Sequence, residues 1–397
     1  MSSEPEFSGR GERLLFAALL ACAAAASVSV AVSQAALGLA LLLALVRWAR
    51  RRERPARTGL ELPASLLAGW ALATIPFSGE PQQSLVFARR FFLLAPLWLF
   101  ATYAATERRR RWVLGALLAG ATAVALRGVA DVIRHGAVDL AHRATLTQGY
   151  MTGGGLMMLA ALVALAHLAA ARGARARAVL GVALGTVLAA LVLTFTRSSW
   201  LGFLAGACAV LGLLRARLLI PLAAAAALGL AVAPASVRER FASSFDPGHE
   251  NNVQRVIMWQ TGLHMLRDHP VTGVGDRDLK RLYRDYHAGD DGVEIQGHLH
   301  NNLVQFGAIW GAPGLAFGAW FLVAVAVRLF RARRAQLAGA ERAPPLALGW
   351  TLAALGCWVA FNVAGLFEWN FGDAEVLLLT MLTAGLGLGG GEQRPDA

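Results

Sequence analysis

The chain has 397 residues, 56% of them hydrophobic and only 16% charged, with a formal net charge of +12. Soluble domains are about 45–50% apolar and about 25% charged, so a soluble globule, a disordered scaffold and a disulfide framework are excluded. Of the 37 basic residues all but Lys280 are arginines, clustered between apolar runs, which is the pattern of membrane topology and not of a nucleic-acid face.

In chain order, apolar runs near 14–32, 34–48, 60–77, 84–105, 112–130, 149–171, 178–195, 199–214, 218–234, 302–327, 345–366 and 374–390 predict about twelve transmembrane helices. The fold class is an all-α polytopic membrane protein. Arg10 and Arg13 before the first run resemble a signal peptide, but a second run starts at once, so an uncleaved helical hairpin is expected. Cys22, Cys208 and Cys357 lie inside apolar runs and imply neither a disulfide nor a metal framework.

Orientation follows from the arginines. The connections Arg47 to Arg57, Arg108 to Arg111, Arg172 to Arg177, Arg215 with Arg217, and Arg328 to Arg342 are basic, whereas Phe77 to Gln83 and Phe367 to Asp373 carry none. Short basic loops stay cytoplasmic, so both termini are expected inside and the long loop after Ala235 outside. Three regions result: 1–234 with about nine spans, an external loop of short helices over 235–300, and 301–397 with about three spans and a short tail, disordered from Gly389.

In that loop, Asn251 or Asn252 can cap an amphipathic helix with Val253, Val256, Ile257, Leu263 and Leu266 on its apolar face, ending before Pro270. Such a helix can lie on the membrane surface. Gly273 and Gly275 make a turn, after which Asp276 can cap a second helix through Tyr283. Gly-Val-Gly here lacks a third glycine and a preceding strand, so it is not a dinucleotide motif.

The string Gly297-His298-Leu299-His300-Asn301-Asn302 runs directly into a span bearing Gly307, Gly311 and Gly314. A histidine at a helix N-terminus meets the positive end of the dipole, which disfavours its protonated form, and a neutral imidazole is what a general base requires. The competing reading is an interfacial histidine with no chemistry. A metal reading of His298 and His300 finds no third ligand at matching spacing.

Arginine supplies the complementary half. Arg197 sits at a span junction in Thr194-Phe195-Thr196-Arg197-Ser198-Ser199-Trp200, and Arg255 lies in the external loop. Arg89 and Arg90 lie two turns inside a span, where snorkelling to the interface competes with a functional role; about 100° apart on a helix, they do not easily point the same way. Several external guanidiniums together suit phosphate or diphosphate oxygens. Phe367 to Asp373 carries Glu368 and Asp373 and reads as a solvated turn, short enough to border the same cavity. Gly153, Gly154 and Gly155 after Tyr150 permit bending or close packing and are not a phosphate loop.

The order Thr196-Arg197-Ser198 at a span end, Arg255, His269-Pro270 with Gly273 and Gly275, then His300-Asn301 at a glycine-bearing helix start resembles the O-antigen ligase and O-antigen polymerase superfamily. The resemblance covers about residues 185–320. It implies that Arg197 and Arg255 bind the diphosphate of a polyprenyl-linked glycan donor and that His300 activates the acceptor hydroxyl. His298 stands two residues before the motif and competes for that assignment; Arg89, Arg90 and Asn301 complete the expected cavity. The transfer it implies is inverting, uses no metal and no cofactor, and occurs on the periplasmic face of a bacterial inner membrane. Asp276-Arg277-Asp278 has the form of a metal-holding motif but follows a glycine turn and reads as a helix cap.

The expected partners are the glycan donor, a lipid A–core or other glycan acceptor, and membrane lipids, with no nucleic acid. A ligase, a polymerase and a protein O-oligosaccharyltransferase share these requirements. A transporter or flippase of an anionic or lipid-linked sugar is the alternative of a different class, weakened by the absence of carboxylates in mid-span. A reporter fused near Gly289 is expected to read as external and one near Gly339 as cytoplasmic; the reverse pattern inverts the assignment.

Overall fold

The computed structural model describes residues 7, 9–287, 297–339 and 343–389. The Gly289 position and the tail beyond Gly389 lie outside the described residues. Among these every regular element is helical. A hairpin of α1 (Arg10–Ala25) and α2 (Val30–Arg51) precedes α3 (Glu61–Ala73). Next come α4 (Pro81–Ala88), a 3-10 segment Arg89–Leu94 and α5 (Ala95–Tyr103), which together make one apolar crossing. The long helices α6 (Glu107–His135), α7 (Tyr150–Ala170), α8 (Ala174–Leu193) and α9 (Arg197–Leu214) follow. After α10 (Leu219–Val232) the chain makes α11 (Ala235–Ala242), α12 (Glu250–Asp268) and α13 (Lys280–Tyr286) before closing with α14 (Asn302–Ala338), α15 (Pro345–Ala364) and α16 (Ala374–Leu388).

Each of the twelve apolar runs contains a helix, and eight are long and apolar enough to cross a membrane. The chain is a polytopic all-α membrane protein. The remaining four, α1, α3, α10 and α16, are shorter. At 13 residues α3 rises about 20 Å, short of a hydrocarbon core about 30 Å thick.

Small residues set the core. A Cβ on Gly206 would lie 2.6 Å from the Gly356 carbonyl, so α9 and α15 meet backbone to backbone. The expected alternation of connections separates cleanly in space. At one end Arg47 pairs with Glu53 at 2.6 Å, Arg109 with Glu12 at 2.7 Å, and Arg328 Nε donates to the Thr58 carbonyl at 2.6 Å. At the opposite end Thr147 Oγ1 donates to the Ser27 carbonyl, Ala144 N to the Leu193 carbonyl, and Arg277 reaches Glu80. The arginine-rich connections therefore share one end, and the loop through α11, α12 and α13 gathers the others.

The loop helices differ from expectation in their caps, while part of the expected apolar face of α12 is exposed. α12 is docked on α14 through Met258, Thr261, Gly262 and Met265, while Val253, Val256 and Leu263 face outward. Its first turn is preceded by His249, and Asn252 turns away to bind the Ser243 and Asp246 carbonyls. Asp276 does not cap a helix; it is buried against Arg90 at 3.2 Å, and α13 starts only at Lys280.

α14 is broken at Gly311, whose φ is +68°. The break frees carbonyls one turn earlier, and each finds a donor: Val274 N on Ala308, Gly275 N on Ile309, and Trp70 Nε1 on Trp310. In return Ala312 N donates to the Pro270 carbonyl at 2.7 Å. Gly273 sits so close to the Ile309–Trp310 backbone that no side chain fits. A nine-residue half-helix, 302–310, is thus held apart from the rest of α14, with His300 just before its start. Gly311→Ala is expected to destabilise the protein by at least about 1–2 kcal/mol, from the left-handed backbone alone, because its Cβ also meets the Val271 and Pro270 carbonyls. Gly69→Ala, with open space around it inside α3, is expected not to. Thermal unfolding of the two variants in detergent compares them.

Candidate functional site

Two asparagines at the start of α14 build the centre. Asn301 caps the helix, accepting from Leu303 N at 2.9 Å and Val304 N at 3.1 Å, and its Nδ2 donates to the Leu366 carbonyl. Asn302 donates its backbone N–H to Gly365 and accepts from Phe371 N. Together they lash the 365–373 turn to the helix start. That places Glu368 against His300, whose Nδ1 lies 3.1 Å from the carboxylate. The expected solvated turn is corrected here: Glu368 is 15% exposed and His300 13%. Burial pushes the Glu368 carboxyl up, but His300 and the neighbouring His298 outweigh it and hold it below the usual range. With Nδ1 turned to a carboxylate, Nε2 of His300 is the nitrogen left for chemistry.

His300 forms part of the wall of a cavity of about 460 Å³. Arg197 and Arg255, both singled out by sequence, line it, and so do Arg143 and Arg240, which sequence reasoning did not single out. Among the described lining residues none is a carboxylate. Arg197, 5% exposed at the first turn of α9, is fixed by Nη1 donating to the Ser243 carbonyl at 2.6 Å and Nη2 to Asn252 Oδ1 at 3.1 Å. Arg255 Nε donates to the Phe367 carbonyl, which ties α12 to the Glu368 turn. Arg240 Nε donates to the Phe195 carbonyl, and the Arg143 guanidinium stacks on Tyr150, 3.3 Å from the ring centre. Burial, then Arg143 and Arg255, hold Arg240 below the usual guanidinium range, a sign of like charges crowded together. At neutral pH all four stay charged. The only sequence signal for Arg143 and Arg240 was their position in loops expected to lie outside the cytoplasm.

Arg89, Arg90 and His298 line a second, larger cavity of about 1250 Å³, together with Asp276, Trp369 and Asp373. The two adjacent arginines both line it from the 3-10 segment Arg89–Leu94, Arg90 buried in the wall and Arg89 exposed at its surface. The His298 and His300 rings, 4.2 Å apart, stand between the cavities. Burial pushes the His298 imidazole down to about 4, against the attraction of Glu368, so it is neutral at pH 7.

A third candidate metal ligand, absent from the local sequence, is supplied by the fold: His298, His300 and Glu368 present ligand atoms within 4.8 Å of one another. The same three groups make a hydrogen-bonded carboxylate–imidazole pair with a flanking ring. Asp276-Arg277-Asp278 is engaged with Arg90, Glu80 and Gln83 respectively.

Residues 182–319 match a family model described as O-Antigen ligase. This segment belongs to the O-antigen ligase superfamily. No curated protein matches the chain. The ligase-family segment contains Arg197, Arg240, Arg255, His298 and His300, whereas Arg143, Glu368, Arg89 and Arg90 come from outside it. The two cavities are therefore completed by turns and a 3-10 segment outside the matched region.

Asp373 caps α16, accepts from Thr152 Oγ1 at 2.6 Å, and is pushed up to about 7 by burial. A carboxyl whose folded value exceeds its unfolded one binds more protons in the native state, so its contribution falls as pH rises between about 4 and 7. Thermal stability in detergent is expected to decline from pH 5 to pH 8, and Asp373→Asn, which keeps a capping oxygen, is expected to flatten that decline.

Proposed function

We propose that this chain transfers an O-antigen-type glycan from a polyprenyl diphosphate to an acceptor hydroxyl, that of a lipid A–core sugar, on the periplasmic face of the inner membrane. The observation that carries this reading is the single cavity in which four arginines, with no carboxylate among its described lining residues, face an imidazole braced by the largely buried Glu368 carboxylate. Within a ligase-family segment, that combination has the two parts glycosyl transfer needs: an anion clamp and a base.

In the proposed reaction Arg197 and Arg255 hold the diphosphate, with Arg143 and Arg240 contributing further charge. The acceptor oxygen attacks the anomeric carbon while the bond from that carbon to the diphosphate oxygen breaks. The acceptor proton passes to His300 Nε2, and polyprenyl diphosphate leaves with one more negative charge than it had as a diester. Because negative charge grows on the leaving group, arginines already in position favour the transition state over the bound donor. Glu368 fixes the His300 tautomer and balances the imidazolium. No metal takes part.

Purified protein supplied with lipid-diphosphate glycan and lipid A–core is expected to release free polyprenyl diphosphate as the acceptor gains sugar. Arg197→Lys and Arg255→Lys keep the charge but lose the planar fork, and transfer is expected to fall at least tenfold with normal membrane abundance. His300→Ala is expected to lower turnover about 10²–10⁴-fold with donor binding retained, and Glu368→Gln on the order of 10²-fold; His298→Ala does less. Intact transfer in both lysine variants, or loss of donor binding in His300→Ala, overturns these roles. Transfer to a second lipid-linked repeat or to a protein identifies a polymerase or a protein O-oligosaccharyltransferase. No product with any acceptor favours the transporter.

A second reading is favoured by the His298, His300 and Glu368 cluster: a divalent cation held there would activate the acceptor hydroxyl. Loss of transfer on chelation, restored by added metal, selects it; unchanged transfer selects the base.

A further inference from the structure

The larger cavity has no part in the donor chemistry. Its charge is mixed: Arg89, Arg90, Arg277 and Lys280 are set among Asp276, Asp278, Asp373 and Glu375. A diphosphate would meet those carboxylates, whereas the arginine cavity offers it none among its described lining residues. Three buried polar atoms in its wall lack partners among the described residues. Arg90 donates through Nη2 to Asp276 and stacks 5.3 Å from the Trp369 ring centre, yet its Nη1 is unpaired; Arg277 Nε and His298 Nδ1 are likewise unpaired. Buried polar atoms of this kind are normally satisfied, so their gathering here makes this wall one suited to a polar ligand.

Carboxylates, the Thr152 hydroxyl and an aromatic face are the groups that bind sugar hydroxyls and sugar rings. Exposed Arg89 and Lys280, with no carboxylate partner for their side chains among the described residues, add affinity for an anionic substituent. The opposite wall is apolar: Val30, Ala31 and Ala35 on the first turns of α2, with Phe92 and Leu93. Ala31 and Ala35 are exposed on a helix long enough to cross the membrane, so this side opens toward hydrocarbon. At about 1250 Å³ the space exceeds the roughly 300–1,000 Å³ of a drug-sized site and accommodates several sugar rings.

We infer that this cavity is the acceptor site and that it takes the head of an anionic glycolipid. The glycan lies against Trp369 and the carboxylates, and the hydrocarbon lies along α2 and the Arg89–Leu94 segment. A free hydroxyl enters past His298 toward His300. The inference rests on the arginine cavity being the donor site. Lipid A–core and a lipid-linked repeat unit both have this chemistry.

The test uses the full chain in nanodiscs, with lipid A–core binding followed by fluorescence and acceptor and donor KM measured separately. Arg89→Gln alters an exposed side chain, and Ala35→Trp narrows the mouth. Both are expected to weaken lipid A–core binding and raise acceptor KM about tenfold, leaving pyrophosphate affinity and donor KM unchanged. A core oligosaccharide stripped of its lipid is expected to respond to Arg89→Gln but not to Ala35→Trp. A parallel arm with a lipid-linked repeat identifies which glycolipid is the native acceptor by which one the two variants affect. Unchanged glycolipid affinity in both variants, or a rise in donor KM instead, overturns the inference. If wild-type protein binds no pyrophosphate and transfers nothing while glycolipid binding still responds to both variants, the donor reading fails and the acceptor site stands.

Discussion

Inside a membrane a backbone carbonyl with no donor costs several kcal/mol, and the break at Gly311 creates a set of them. The way they are satisfied organises the whole site. Val274 and Gly275 donate to two of them, which draws the chain after α12 onto α14, and Trp70 of α3 takes the third. With that turn anchored, Asp276 and Arg277 are delivered to Arg90 and Glu80, closing one side of the larger cavity. α12, docked on α14 and leading directly into the same turn, holds Arg255 over the smaller cavity. The half-helix that the break isolates carries the Asn301 and Asn302 contacts that bring Glu368 to His300.

Electrostatics then divides the space. Four arginines around one cavity repel one another, and their positions are maintained by carbonyls and an aromatic ring instead of carboxylates. Neutral anchors leave most of the positive potential available to a ligand, with Glu368 acting on Arg255 alone of the four, whereas four paired guanidiniums would have spent it on the protein. Arg90 shows the contrast: its ion pair with Asp276 makes it a fixed part of the neighbouring wall.

What the sequence makes legible follows the range of each interaction. Every apolar run is a helix, because hydrophobicity and length are local properties, although four of the twelve are shorter than a bilayer requires. Arg197, Arg255 and His300 were readable because each stands beside a span end or in the long loop, and the fold brings them to one cavity. Glu368 was visible only as a turn carboxylate, since its partner is 68 residues away and the asparagines that join them bind backbone groups of the turn, which carry no sequence signal. The third potential metal ligand was hidden for the same reason. Asn252 and Asp276 were misread as caps because a short polar side chain before a helix has that local meaning, and here distant arginines claim both.

The buried carboxylate behind His300 also governs the fate of the proton. In the proposed reaction, protonation of Nε2 turns a polar contact into an ion pair, so a fifth cation appears at the arginine cavity just as the leaving diphosphate gains charge. The turnover cycle then closes only when the imidazole is discharged. A terminal phosphate with a last ionisation near pH ~6 is a competent recipient. The departing polyprenyl diphosphate can thus carry away the hydrogen ion that the acceptor gave up, resetting the base without a water channel.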